Sequence, residues 1–206
     1  MKIFTVGGSG LVGSRIIEIL NEKYSFDDLS TSNGVDITNP ESLDIIKNDT
    51  EHEAVILFAA KADVDSCEQY KDLGENSAAW KINVGGVKNV VDACLFNQKK
   101  LIYISTDFVF DGSTPGVESY VENDLPRPIN WYGETKLRGE EVVKASGLPY
   151  IIARIAYPYR KEFEPKLDFV RAIVRRLKNN QPVAAVTDHI FTPTFIDDIA
   201  LAFDKL

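Results

Sequence analysis

The chain has 206 residues, 44% of them hydrophobic, which is enough for one sizeable core and falls within the range of a single domain. Its formal charge is −8, from 23 Lys and Arg against 31 Asp and Glu, and no basic run exceeds the pairs Lys99-Lys100 and Arg175-Arg176, which argues against a nucleic-acid partner. Neither Cys67 nor Cys94 sits in a CxxC or Cys/His grouping, so a disulfide framework or a metal site has nothing to build on, and no apolar run reaches membrane-spanning length.

Short β-rich apolar runs alternate with longer segments of helical period, the pattern of βαβ units around a parallel sheet. The first segment, MKIFTVGGSG, runs straight into a strand and a glycine turn with no signal-peptide pattern, and the expectation is a soluble cytoplasmic protein. Lys2–Val6 reads as a strand and Leu11–Glu22 as a helix, with Gly7, Gly10 and Gly13 at GxxGxxG spacing between them. A pyrophosphate reaches backbone N–H groups and the positive end of a helix only where no side chains intervene, and a last glycine lets helix and strand pack closely. The same glycines also suit a ligand-free tight turn, but their place at the first strand-to-helix junction favours a dinucleotide.

A short, polar second strand falls within Phe26–Thr31. The stretch Leu29–Asn33 that follows has no Arg to clamp a 2′-phosphate and no clear acid to reject one, so both NADP(H) and NAD(H) stay open. Asp36-Ile37 lies where an acid can contact the cofactor's adenosine half, although Asp36 is almost as well suited to capping the Pro40 region. A helix is predicted over Pro40–Lys47, a strand over Glu53–Ala60, a helix over Ala78–Asn97 and a strand over Lys100–Ser105. The last of these ends in Ile104-Ser105-Thr106-Asp107 and so delivers hydroxyls to the carboxyl edge of the sheet, where ligands bind in open α/β folds.

Residues 111–130 carry glycines, prolines and acids without periodicity and read as a long loop into a helix over Tyr132–Ser146. Tyr132 and Lys136, four residues apart, share a face of that helix. A phenol of pKa about 10 is a poor acid-base catalyst at neutral pH, and a neighbouring ammonium lowers that value. By itself the spacing fits equally a surface Tyr stacked on a Lys stem. A strand over Tyr150–Ile155 and a helix over Leu167–Asn179 follow, and a helical pattern beginning at Phe195 runs out at Leu206, which reads as a truncated end.

Other residues invite less. His52 and His189 lack ligand spacing and are expected on the surface or in loops. Asp197-Asp198 face different ways and suit the first turn of a helix. Trp80 and Trp131 are read first as packing residues, with Trp131 also a candidate substrate contact beside Tyr132. Ser105 has no GxSxG elbow and no placed His, so a hydrolase is set aside.

Taken together, Gly7–Gly13, Phe58-Ala59-Ala60, Asn83-Val84, the stretch STDFVFDG over residues 105–112 and NWYGETKLRGE over residues 130–140 resemble the extended short-chain dehydrogenase/reductases. More narrowly, they are similar to the dTDP-4-dehydrorhamnose reductase branch, over nearly the whole chain. The resemblance implies a Rossmann fold, α/β with a doubly wound parallel sheet. Residues 1–206 would form the NAD(P)-binding domain, with a partial substrate-binding region near 157–206 and most of the family's C-terminal substrate lobe missing. The implied reaction is NAD(P)H-dependent reduction of a 4-keto nucleotide sugar, foremost dTDP-4-dehydro-L-rhamnose to dTDP-L-rhamnose.

In that reading Tyr132 donates a proton to the keto oxygen, Thr106 hydrogen-bonds the same oxygen, and Lys136 binds the nicotinamide ribose while lowering the Tyr132 pKa. Leu11, Val12, Asp36, Ile37, Ala59, Ala60, Lys61 and Asn83 join the glycines around the cofactor. Ser105, Asp107, Phe108, Trp131 and Ala156 face the substrate. No metal is expected, and the resemblance leaves room for a homodimer. Phe108 stands where the reductases commonly show Tyr, and residues 154–159 differ from the family's usual run, which leaves the sugar open. The 105–112 stretch also resembles the beta subunit of methionine adenosyltransferase, which implies a non-catalytic NADP-binding regulatory role. Nucleotide-sugar epimerases and dehydratases would keep the fold and change the chemistry.

Overall fold

Five parallel strands form one sheet in the order β2-β1-β3-β4-β5, with β1 at Lys2–Val6, β2 at Ser25–Leu29, β3 at Ala54–Leu57, β4 at Lys100–Thr106 and β5 at Tyr150–Ile155. The computed structural model describes residues 1–113, 120–188 and 190–205, so His189 and residues 114–119 of the expected loop lie outside the described residues. The helices are α1 (Leu11–Leu20), α2 (Asp44–Lys47), α3 (Val64–Gln69), α4 (Ala78–Trp80), α5 (Val87–Leu95), α6 (Trp131–Ala145), α7 (Phe169–Lys178) and α8 (Ile196–Phe203). Among the described residues no helix is long and apolar enough to cross a membrane.

Strand alternation divides the core into two layers. Phe4, Val6, Val55, Leu57, Leu101 and Tyr103 point to one side and pack with Val87, Val90, Val91 and Cys94 of α5 and Val143 of α6. Ile3, Ala54, Ile56, Ile102 and Ile104 point to the other, where Ile16 and Leu20 of α1 meet Ile196, Ile199 and Ala200 of α8. Helices on both faces make the sheet doubly wound. The segment before α8 lies beside the end of β5, with Thr194 N–H donating to the Ala156 carbonyl at 3.0 Å and Ile196 N–H to the Tyr159 carbonyl at 3.0 Å. Arg15 of α1 then clasps Asp197 with two bonds of 2.7 and 2.8 Å, and this, rather than a site role, occupies the Asp197 carboxylate.

Several expectations are revised. The predicted helix over Ala78–Asn97 contains a π-helical turn at Lys81–Gly86 between α4 and α5. The short helix α3 had no predicted counterpart; its N-cap is Asp63, whose side chain accepts from Ser66 N–H. His52 is buried rather than exposed: its ring stacks on Phe4 at 3.6 Å and its nitrogens lie 2.8 Å from Asp27 and 3.0 Å from Asp49. Lys99, equally buried, bonds Asp49 Oδ1 and the Asp49 and His52 carbonyls, holding that carboxylate well below its usual range against the opposing effect of burial. This cluster locks the amino edge of the sheet, opposite the candidate site.

Candidate active site

In the order β2-β1-β3, the chain turns back between β1 and β3, and this reversal opens a crevice at the carboxyl edge. Val6 is paired with Leu57, so the turns after both strands emerge side by side. Gly7, at φ +79°, approaches so closely that a Cβ there would lie 2.9 Å from Ala59 N. A Cβ on Gly13 would lie 2.7 Å from Gly8 Cα, which is how α1 can begin directly beneath the turn. Gly10 caps α1 without a side-chain bond and no acid occupies the first turn, leaving the helix terminus electropositive. That turn fits a pyrophosphate. It is also latched: Gly8 N–H donates to Asp28 Oδ1 at 2.6 Å, and the same oxygen accepts from Thr5 Oγ1 at 2.9 Å. Asp28 was not among the predicted residues, although its register opposite Thr5 on the neighbouring strand is the signal that could have found it.

A cleft of about 530 Å³ runs from this turn to α6, within the range typical of small-ligand sites. Its wall includes Gly7, Gly10, Leu11, Val12, Gly13, Ala60, Ser105, Thr106, Phe108, Tyr132 and Lys136, all expected, and adds Phe58, Tyr157, Lys166 and Phe169. Tyr157 is held at φ +41°, an uncommon conformation for an aromatic residue, and its ring packs near Phe108, Phe169 and Phe191.

Asn130 starts α6 by accepting from Gly133 N–H at 2.8 Å, and this seats Tyr132 beside Thr106. Burial pushes the Tyr132 phenol up to about 12; a hydrogen bond with Thr106 pulls the other way and the Asp107 charge adds to the rise. Burial pulls the Lys136 ammonium down to about 7, opposed by Glu140. Its Nζ donates to the Ile104 carbonyl at 2.7 Å. The expected lowering of the Tyr132 pKa by Lys136 is therefore not what this geometry produces, because desolvation dominates both groups.

The remaining expected residues fall elsewhere. Asp36 is exposed and its carboxylate accepts from Thr38 N–H and Oγ1, while the Pro40 turn is capped by Asn39. Ile37 is core, packed against Gly86. Ala59 abuts Gly7 and, partly buried, packs against the core. Asn83, fully buried, accepts from Lys61 N–H at 2.8 Å and donates to the Lys61 carbonyl at 3.1 Å and Thr135 Oγ1 at 3.0 Å, so it bolts the segment after β3 to α6 rather than facing the cleft. Ser105 lines the cleft, but its hydroxyl donates to Glu140 Oε1 at 2.6 Å. Asp107 accepts from Thr106 Oγ1 at 3.2 Å. Trp131 stacks on Trp80 at 5.9 Å, its Nε1–H donating to Ser77 Oγ, as packing suggests. Ala156 is tied by its backbone to Thr194.

Compared with known proteins, the chain matches the model of the family described as RmlD substrate binding domain over residues 1–206. The chain belongs to this family. Two solved structures resemble the RmlD-family chain at a TM-score of 0.87: a dTDP-4-dehydrorhamnose reductase from Clostridium acetobutylicum, 34% identical, with 100% of this chain and 69% of that one covered; and the Bacillus anthracis enzyme of the same name in complex with NADP, 33% identical, with 99% and 69% covered. In sequence it is 29% identical over 200 residues to the dTDP-4-dehydrorhamnose reductase of Aggregatibacter actinomycetemcomitans, covering 97% of this chain. The chain spans 65% of the length of that relative.

Proposed function

We propose that this chain is an NAD(P)H-dependent reductase of a 4-keto nucleotide sugar, converting dTDP-4-dehydro-L-rhamnose to dTDP-L-rhamnose. The observation that carries the reading is the meeting of Thr106, Tyr132 and Lys136 on one wall of the cleft that begins at the glycine turn. The names of the relatives supply the sugar and the NADP-bound structure supplies the cofactor class. Gly7, Gly10 and Gly13, with the first turn of α1, would hold the pyrophosphate, and Lys136 the nicotinamide ribose. When bound, the reduced nicotinamide supplies hydride to the carbonyl carbon.

The chain's own residues handle the oxygen. Tyr132, its pKa pushed up to about 12, keeps its proton at neutral pH. It is therefore a donor to an oxygen that gains charge as the carbonyl is reduced, and Thr106 orients that donor. Phe108, edge-on to the Tyr132 ring, and Tyr157 and Phe169 beyond it give the cleft an aromatic surface beside that donor. The two cysteines are buried free thiols, which accords with a cytoplasmic site of action. The test is nicotinamide absorbance decay with dTDP-4-dehydro-L-rhamnose and NADPH or NADH. Tyr132→Phe is expected to lower turnover by about 100-fold or more while cofactor affinity is retained; a variant as active as wild type would remove Tyr132 from the mechanism.

A further inference from the structure

Lys136 is a lysine taken out of water, and something must hold its ammonium. Its Nζ lies 4.1 Å from the centroid of the Tyr103 ring while donating to the carbonyl of the next residue, Ile104. Tyr103 is fully buried, and among the described residues its Oη is the buried side-chain polar atom without a hydrogen-bond partner. A buried hydroxyl left unpaired is unfavourable, so what the fold gains from Tyr103 is its aromatic face. The seat is tailored: a Cβ on Gly139, one turn along α6 from Lys136, would strike the Tyr103 hydroxyl.

We infer that Tyr103 is a positioning residue whose ring face fixes the Lys136 ammonium under the cleft, aimed along the same wall as Tyr132. The inference rests on the proposed role of Lys136 for its functional meaning, though not for its physical test. The ring quadrupole favours a cation over its face, and more so where water is excluded. Other charges act on the same ammonium: Glu140, one turn on in α6, favours it, and Arg154 of β5, bonded to Glu140, offsets part of that attraction. From β4 the Ile104 carbonyl accepts its hydrogen bond; Ser105 is directed at Glu140, and Tyr132 on α6 and Asn83 on the π-helical turn are uncharged at neutral pH.

The experiment reads the Lys136 ¹³Cε shift against pH in lysine-labelled protein, without substrate, with the resonance assigned by its loss in Lys136→Met. Tyr103→Phe keeps volume and ring face, and its midpoint is expected to match wild type. Tyr103→3,4,5-trifluorophenylalanine keeps the ring with slightly larger edge atoms but drains the face, and its midpoint is expected about one pH unit lower. Equal midpoints for the two variants would overturn the inference, as would a Tyr103→Phe shift as large as the fluorinated one. In turnover, the basic limb of the pH profile should move with the midpoint; a limb that stays put while the midpoint moves would deny Tyr103 its functional part. If no variant and no wild-type protein turns over, the reductase reading fails while the titration still decides the role of the ring.

Discussion

Glu140 is the perturbation most telling for the site's support. Its side chain is fully buried, accepts two bonds from Arg154 at 2.7 and 2.8 Å, one from Ser105 at 2.6 Å and one from Lys144 at 3.2 Å. Glu140→Gln keeps the volume and removes the charge, leaving Arg154, whose side chain is 18% exposed, without its counter-ion. Breaking a buried pair on one side costs about 3–5 kcal/mol. Partial exposure of Arg154 and the outward Lys144 place this case near the lower end, about 3 kcal/mol. At roughly 2–4 °C per kcal/mol for a chain of this size, Tm should fall by about 6–12 °C. Urea unfolding of Glu140→Gln, Arg154→Met and the double variant completes the cycle, and a coupling of about 2 kcal/mol is expected, with the double more stable than Glu140→Gln alone. The Glu140 carboxyl is held below its usual range by Arg154 and Ser105 despite the opposing effect of burial. The stability it lends is therefore present above its unfolded pKa and lost as pH falls through the folded value, so Glu140→Gln should flatten that acid dependence. A loss under about 1 kcal/mol, or a double variant no better than the single, would refute the reasoning.

Two further outcomes follow from the same geometry. Gly13→Ala gains about 1 kcal/mol of helix propensity but drives a Cβ against the Gly8 backbone, which cannot yield without moving the turn; NADPH affinity by fluorescence titration should fall about tenfold or more, and unchanged affinity would contradict the pyrophosphate assignment. Lys136 has its pKa pulled from 10.5 to about 7, so between those values the folded state binds fewer protons than the unfolded one, and stability should rise with pH by about 1 kcal/mol per unit relative to Lys136→Met. Parallel urea-stability curves for the two proteins from pH 7 to 9.5 would show that Lys136 is not desolvated as described.

Local signals are the ones legible in the sequence. Strand alternation, the glycine spacing and the Tyr132/Lys136 pair each lie within one element or the turn joining two, and periodicity or spacing exposes them. Contacts between partners remote in sequence stay hidden. Nothing around Glu140 announces Ser105 or Arg154, and nothing around His52 announces Phe4 and Asp27, because register and crossovers bring them together. Asp36 and Ile37 were placed by distance along the chain, yet the first closes a turn on Thr38 and the second faces the core. The π-helical turn at Lys81–Gly86 was invisible because its segment, KINVGG, carries too few large apolar side chains to reveal a local change of period. The pKa relation between Tyr132 and Lys136 was expected from charge alone, whereas the degree of burial, which depends on the whole fold, decides it.

The central claim, hydride delivery to a keto sugar beside Tyr132, is tested most directly by isotope transfer. Protein is incubated with dTDP-4-dehydro-L-rhamnose and NADPH or NADH deuterated at the transferable C4 position, and the sugar is examined by NMR and mass spectrometry. The account predicts dTDP-L-rhamnose carrying one deuterium at C4, with the label absent when Tyr132→Phe replaces wild type. Cofactor binding without deuterium transfer to the sugar would contradict it and leave a dinucleotide-binding fold without this chemistry.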